Sequence, residues 1–322
     1  MTALSDAPLS NAPGEAPAVA ALPWTRLFYW AVRRELWEVR SIYVAPLIAA
    51  GVVLFAGLLG TAHFAQTFRS MAARDPRIPI GIFLAPSAIA MTAIVATILI
   101  VAVFYCLGAL HNERRDRSVL FWKSLPVSDL ITVLVKASVP LVVMPIVALA
   151  VILVTELVIF ALSFSILLSS GIDPAPVLHD LPPFTSVVAL PYGLIVLSLW
   201  YAPIAGWLLL VSGWARRAPF LWAVLPPMAV GLVEKIAFGT GYVGQMIQYR
   251  LSGGLAEAFT IPATAHFDPY AVHLGGIDPL KFAACPGLWI GLVFAAAFIA
   301  AAPAIRARAT KTRRRSSRLD CR

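Results

Sequence analysis

Six long apolar runs alternate along this chain with short stretches where charge and proline collect. The runs cover about Tyr43–Phe64, Leu84–Leu110, Ser138–Ser170, Ser186–Leu210, Pro219–Phe238 and Leu288–Ala304. At about 1.5 Å of rise per residue, each is long enough to cross a hydrocarbon core of roughly 30 Å. The third exceeds one crossing and falls short of two, which predicts a tilted or protruding helix. The pattern predicts an all-α integral membrane protein whose six-helix transmembrane domain occupies residues 42–304.

The flanks read differently. Residues 1–23 are rich in Ala and Pro and lack periodicity, which predicts a disordered tail without the basic start of a signal peptide. From 24 to 41, Trp24, Phe28, Val32 and Leu36 recur every fourth residue while Arg26, Arg33 and Arg40 recur every seventh. That double stripe predicts an amphipathic helix lying in the headgroup layer before the first span. Residues 239–287 read as an external loop, in which Gln245–Leu251 and Leu255–Ile261 fit short re-entrant or surface helices. Gly287 and Gly291 open the sixth span at a four-residue spacing that lets helices approach closely. Residues 305–322 form a basic tail, expected to be disordered against anionic lipid.

Composition strengthens the membrane reading and sets an orientation. Hydrophobic residues make up 60% of the chain, charged residues 13%, and mean hydropathy is +0.84, outside the range of a soluble globular domain. Of 25 Lys and Arg, 19 fall in the N-terminal segment, the loop at 111–137, the Arg216–Arg217 pair and the tail; the other 6 are Arg69, Arg74, Arg77, Lys235, Arg250 and Lys281. The positive-inside rule then places both termini in the cytoplasm. Basic flanks against anionic lipid account for the +9 net charge, so no nucleic acid partner is expected. Cys106, Cys285 and Cys321 have no CxxC spacing and fall in three different parts of this layout.

The connector at 111–137, HNERRDRSVLFWKSLPVSDLITVLVKA, is the densest charged interval between two spans. Val119, Leu120, Phe121 and Trp122 interrupt that charge with a bulky apolar plug, Pro126 stops the helix that would carry it, and Ser128 is placed to cap the next. The Glu113–Arg114 pair, the Lys123-Ser124-Leu125-Pro126-Val127-Ser128 turn and Lys136 at the foot of the following span resemble ABC exporter permeases of the type-two class. The resemblance covers the six-span layout and, most specifically, about 25 residues of this loop. It implies a half-transporter in a plasma membrane, the bacterial inner membrane, paired with a second permease copy or paralogue and with a cytoplasmic ABC ATPase subunit. It further implies that Leu120, Phe121 and Trp122 contact that ATPase, with Arg114, Arg117, Lys123 and Pro126 setting register. A dip of the same plug into the membrane interface stays open.

The chain holds no GxxxxGK[ST], no Gly-Lys dipeptide, no HExxH and no GxSxG. It is therefore expected to be a transport subunit without an ATPase site, an enzyme activity, a cofactor or a metal of its own, ATP being bound by the partner. Glu156 lies deep in the third run, where a carboxylate must face the bundle interior or a wet cavity. It lines a translocation path or gate, or it fixes packing through a hydrogen bond to a neighbouring helix. Glu234, in the fifth run, is a second gate candidate or an interfacial residue. The alternative function is an ATP-independent secondary transporter that uses an intramembrane carboxylate.

Overall fold

The computed structural model describes residues 24–72, 78–115, 129–169, 171, 185–215, 217–260 and 276–319. Nearly all of them are helical. Apolar sequence surrounded by lipid must satisfy its backbone internally, and helices do this within one segment. Six helical stretches are long and apolar enough to cross a membrane: Ser41–Leu59, Phe83–Glu113, Asp129–Ser169, Val188–Trp214, Pro219–Phe238 and Pro286–Ala304. This is the build of an integral membrane protein.

The chain opens with α1 (Trp24–Glu38) and α2 (Ser41–Leu59). The first apolar run stops earlier than its composition suggested, because Gly60 closes α2 and a separate amphipathic helix, α3 (Thr61–Ala72), starts after it. Next come α4 (Ile78–Ala109) and the short α5 (His111–Arg115). The third run is α6 (Asp129–Ser138), a π-helical turn at Val139–Val143 that contains Pro140, and α7 (Met144–Ser169). Its excess length therefore continues as helix beyond one crossing.

Helix α8 (Thr185–Trp214) leads through Arg217 and Ala218 to α9 (Pro219–Phe238). Ala218 takes a left-handed conformation (φ 48°), which with Pro219 turns the chain into α9. Where two short helices fitted the sequence, one continuous helix forms, α10 (Tyr242–Ala258). Strands β1 (Phe259–Thr260) and β2 (Gly276–Ile277) pair antiparallel, with Phe259 opposite Ile277. Then follow α11 (Pro279–Ala284) and α12 (Pro286–Leu319); the basic tail, expected without structure, extends α12 as helix to Leu319.

Packing centres on α8, which lies along α12 and against α4 and α10, while α2, α4 and α7 form the neighbouring group. Ile42, Ile94, Ile98, Met144, Ile152 and Leu209 make up the main core. A second core joins Val196 and Trp200 of α8 to Phe259, Phe282 and Leu288. Gly254 of α10 makes this contact possible, because a Cβ there would stand 2.7 Å from the Trp200 ring.

Candidate functional site

The best-formed polar site lies where the 111–137 connector leaves and rejoins the helices. Helix α4 breaks at Leu110, and the break is held by Ser212 of α8. The Ser212 hydroxyl accepts from Leu110 N at 3.1 Å and from His111 N at 3.0 Å, and donates to Leu107 O at 2.7 Å. It thus satisfies amides that the interrupted helix would leave unpaired in a buried position. His111 Nδ1 lies 3.1 Å from Ala215 O, a hydrogen bond in which Nδ1 donates. With the break fixed, α5 points Glu113 inward.

Helix α6 returns the chain with Lys136 in its last turn, just before the π-helical turn through which the helix continues into α7. Lys136 Nζ donates to Glu35 Oε1 of α1 at 2.9 Å and lies 3.1 Å from Glu113 Oε1 of α5. Tyr105 of α4 donates its hydroxyl to Glu35 Oε2 at 2.9 Å. Lys136 is 3% exposed and Glu35 7%. Charges this buried hold only because each faces a partner at hydrogen-bond distance. A cavity of about 320 Å³ opens beside the cluster, bounded by Glu38, Ser41, Phe104 and Asn112.

The arrangement is mechanical in kind: one ammonium ties the outgoing end of the connector, its returning end and α1 into a single unit. Helix α1 meets this unit through its inner face, where Phe28, Val32 and Leu36 are half-buried around Glu35. Its outer face carries Trp30 and Trp37, both exposed, with the Arg33 guanidinium 5.0 Å from the Trp30 ring centre and 5.3 Å from that of Trp37; Trp24, at the helix start on the side of Phe28, is exposed as well.

The residues singled out from sequence are distributed as follows. Arg117, Leu120, Phe121, Trp122, Lys123 and Pro126 lie outside the described residues, and Arg114 is described only as part of the α5 backbone. Glu156 sits on the buried face of α7 with Ile152, Ile159 and Ser163, and its Oε1 has no hydrogen-bond partner among the described residues. Glu234 accepts from Thr240 Oγ1 at 2.7 Å, Tyr242 N at 2.7 Å and Val243 N at 2.8 Å, so it caps the start of α10. Gly287 and Gly291 face α10: a Cβ on Gly291 would collide with the Arg250 guanidinium, and one on Gly287 would meet Tyr249 at 3.2 Å. Arg250 itself donates to Gly287 O at 2.8 Å and to Trp200 O at 3.3 Å, and its guanidinium lies 4.6 Å from the Trp200 ring centre.

Glu35 was not among the sequence-predicted site residues, although a signal for it was present. It lies seven residues after Phe28 and three after Val32, which puts a carboxylate on the apolar face of α1. Among the described residues no three His, Cys, Asp or Glu side chains converge to hold a metal ion. No family of known proteins, no curated protein and no solved structure matches this chain.

Proposed function

We propose that this chain is the membrane-spanning subunit of an ATP-driven ABC exporter, with both termini and the 111–137 connector in the cytoplasm and α1 in the headgroup layer. The observation that carries the reading is the Lys136 clasp. A connector that transmits force from a cytoplasmic ATPase needs a base that cannot flex independently of the spans. Here both ends of the connector and α1 share one buried ammonium, so displacement of the plug is passed on together to α1, α4 and α7. Leu120, Phe121 and Trp122 supply the apolar foot that docks on the ATPase, and a second copy or paralogue completes the translocation path.

The test is purification of the full chain from its native membrane. A nucleotide-hydrolysing subunit should co-purify, and charged substitutions at Leu120, Phe121 and Trp122 should release it. A purified chain that moves solute into vesicles with no such companion sinks the proposal.

One observation favours a second reading, a secondary transporter: Glu156 is buried in a span with an oxygen that lacks a partner among the described residues. Coupling to an ion gradient would use this carboxylate. Uptake would then proceed without a companion ATPase, stop when the ion gradient is collapsed, and be abolished in Glu156→Gln while expression persists.

A further inference from the structure

We infer that the outward face of α10 borders a water-filled vestibule that reaches the middle of the membrane. This goes beyond the exporter reading and holds whatever powers transport. The argument starts from depth. Ser212 of α8 binds the break that precedes the charged α5, which marks one face of the membrane. Trp200 lies twelve residues before Ser212 on α8, about 18 Å from that face along the helix axis, in a hydrocarbon core of roughly 30 Å. Trp200 Nε1 donates to Arg250 O at 2.8 Å, and the hydroxyl of its neighbour Tyr201 donates to Leu251 O at 2.7 Å. The middle of α10 is therefore fastened to the middle of a span.

Helix α10 turns Val243, Ile247, Arg250, Gly254 and Ala258 inward against α8 and α9, and Arg250 reaches Gly287 at the start of α12. The helical period places Gln245, Gln248 and Ser252 on the opposite face, and all three are exposed. Each glutamine amide carries two donors and an acceptor, and neither side chain finds a partner among the described residues. The Ser252 hydroxyl donates to Gln248 O within the helix. Lipid cannot satisfy such groups, and at membrane depth polar surface is tolerated where it meets protein or water.

Water is the occupant that fits the surroundings. The stripe begins beside Glu234, a carboxylate held by three donors, and the exposed Lys235. It ends near Glu257, which lies 4.0 Å from Lys281. It thus connects charged groups at both ends, while the small and apolar residues that pair transmembrane helices lie on the inner face. The vestibule takes water and small polar solutes, entering from the side of the α8 N-terminus.

Substituted-cysteine labelling tests this in the full-length protein. Cys106 and Cys285 are buried, so Cys321→Ser provides the parent. Gln245→Cys, Gln248→Cys and Ser252→Cys should react with a charged, membrane-impermeant thiol reagent added on the side of the α8 N-terminus. Reaction should be lost at Met246→Cys on the flank of α10 and at Val154→Cys on the exposed face of α7. Labelling of every variant after denaturation shows that each cysteine is present, and three stripe positions guard against one variant that misfolds. Failure of all three to react overturns the inference, as does oxidative linking of two copies through Gln248→Cys without labelling, which would make the face a contact between copies.

Discussion

Lys136 Nζ lies 2.9 Å from Glu35 Oε1, joining the last turn of α6 to α1 across 101 residues of sequence. The pair is buried and shares its ammonium with Glu113. Lys136→Met takes from Glu35 and Glu113 the ammonium they share, and the expected cost is about 3–5 kcal/mol. The double variant Glu35→Gln/Lys136→Met should be less destabilised than Lys136→Met alone. Thermal unfolding of the detergent-solubilised protein checks both, and a double variant that is additive or worse would show that the two side chains act independently.

Ser212→Ala removes the hydroxyl that serves Leu110 N, His111 N and Leu107 O in a fully buried position. Leaving those groups unserved is expected to cost about 1–3 kcal/mol. The effect should appear locally as faster amide exchange at residues 107–112, with α9 unchanged. Uniform loss of protection would contradict a role confined to the break.

Gly254 and Gly244 lie on the same helix in opposite circumstances. A Cβ on Gly254 meets the buried Trp200 ring at 2.7 Å, whereas one on Gly244 meets nothing within 4 Å. Gly254→Ala is expected to cost about 1–3 kcal/mol through overpacking. Gly244→Ala should raise stability slightly, because alanine stiffens the unfolded chain and suits the helix. Equal melting temperatures for the two variants would refute the close α8–α10 contact.

Glu234→Ala deprives Thr240 Oγ1, Tyr242 N and Val243 N of their shared acceptor. Hydrogen exchange should quicken over the first turn of α10, and Glu234→Gln should restore part of the protection through its carbonyl oxygen. An indifferent first turn in Glu234→Ala would show that the cap is dispensable.

Sequence was informative where lipid leaves few choices and silent where tertiary contact decides. The six apolar runs had to be helices, whereas Lys136 entered only as part of the loop's resemblance, and nothing in the sequence shows which carboxylates it meets. Glu35 is hidden in the sequence because α1 shows an apolar stripe against a basic one, and the carboxylate on the apolar face makes sense only once Lys136 and Tyr105 are seen beside it. Ser252, Gly253 and Gly254 suggested a break in α10, yet the helix runs through, because the glycines admit the Trp200 ring rather than end the helix. Gly60 acted the other way, ending α2 inside a run that composition made continuous.

The π-helical turn at Val139–Val143 accommodates one more residue than an α-helical turn would, and Ser198 of α8 donates to Leu141 O within it. An extra residue rotates everything downstream by about 100° about the axis. Upstream the rotation fixes Lys136 on its carboxylates; downstream it fixes Ile152 and Glu156 toward the bundle. Excising one residue from this turn would swing the whole of α7 like a key in a lock, carrying Glu156 away from its neighbours and bringing another row of side chains inward. The bulge is thus the phase adjuster that lets one continuous rod obey two sets of contacts at once.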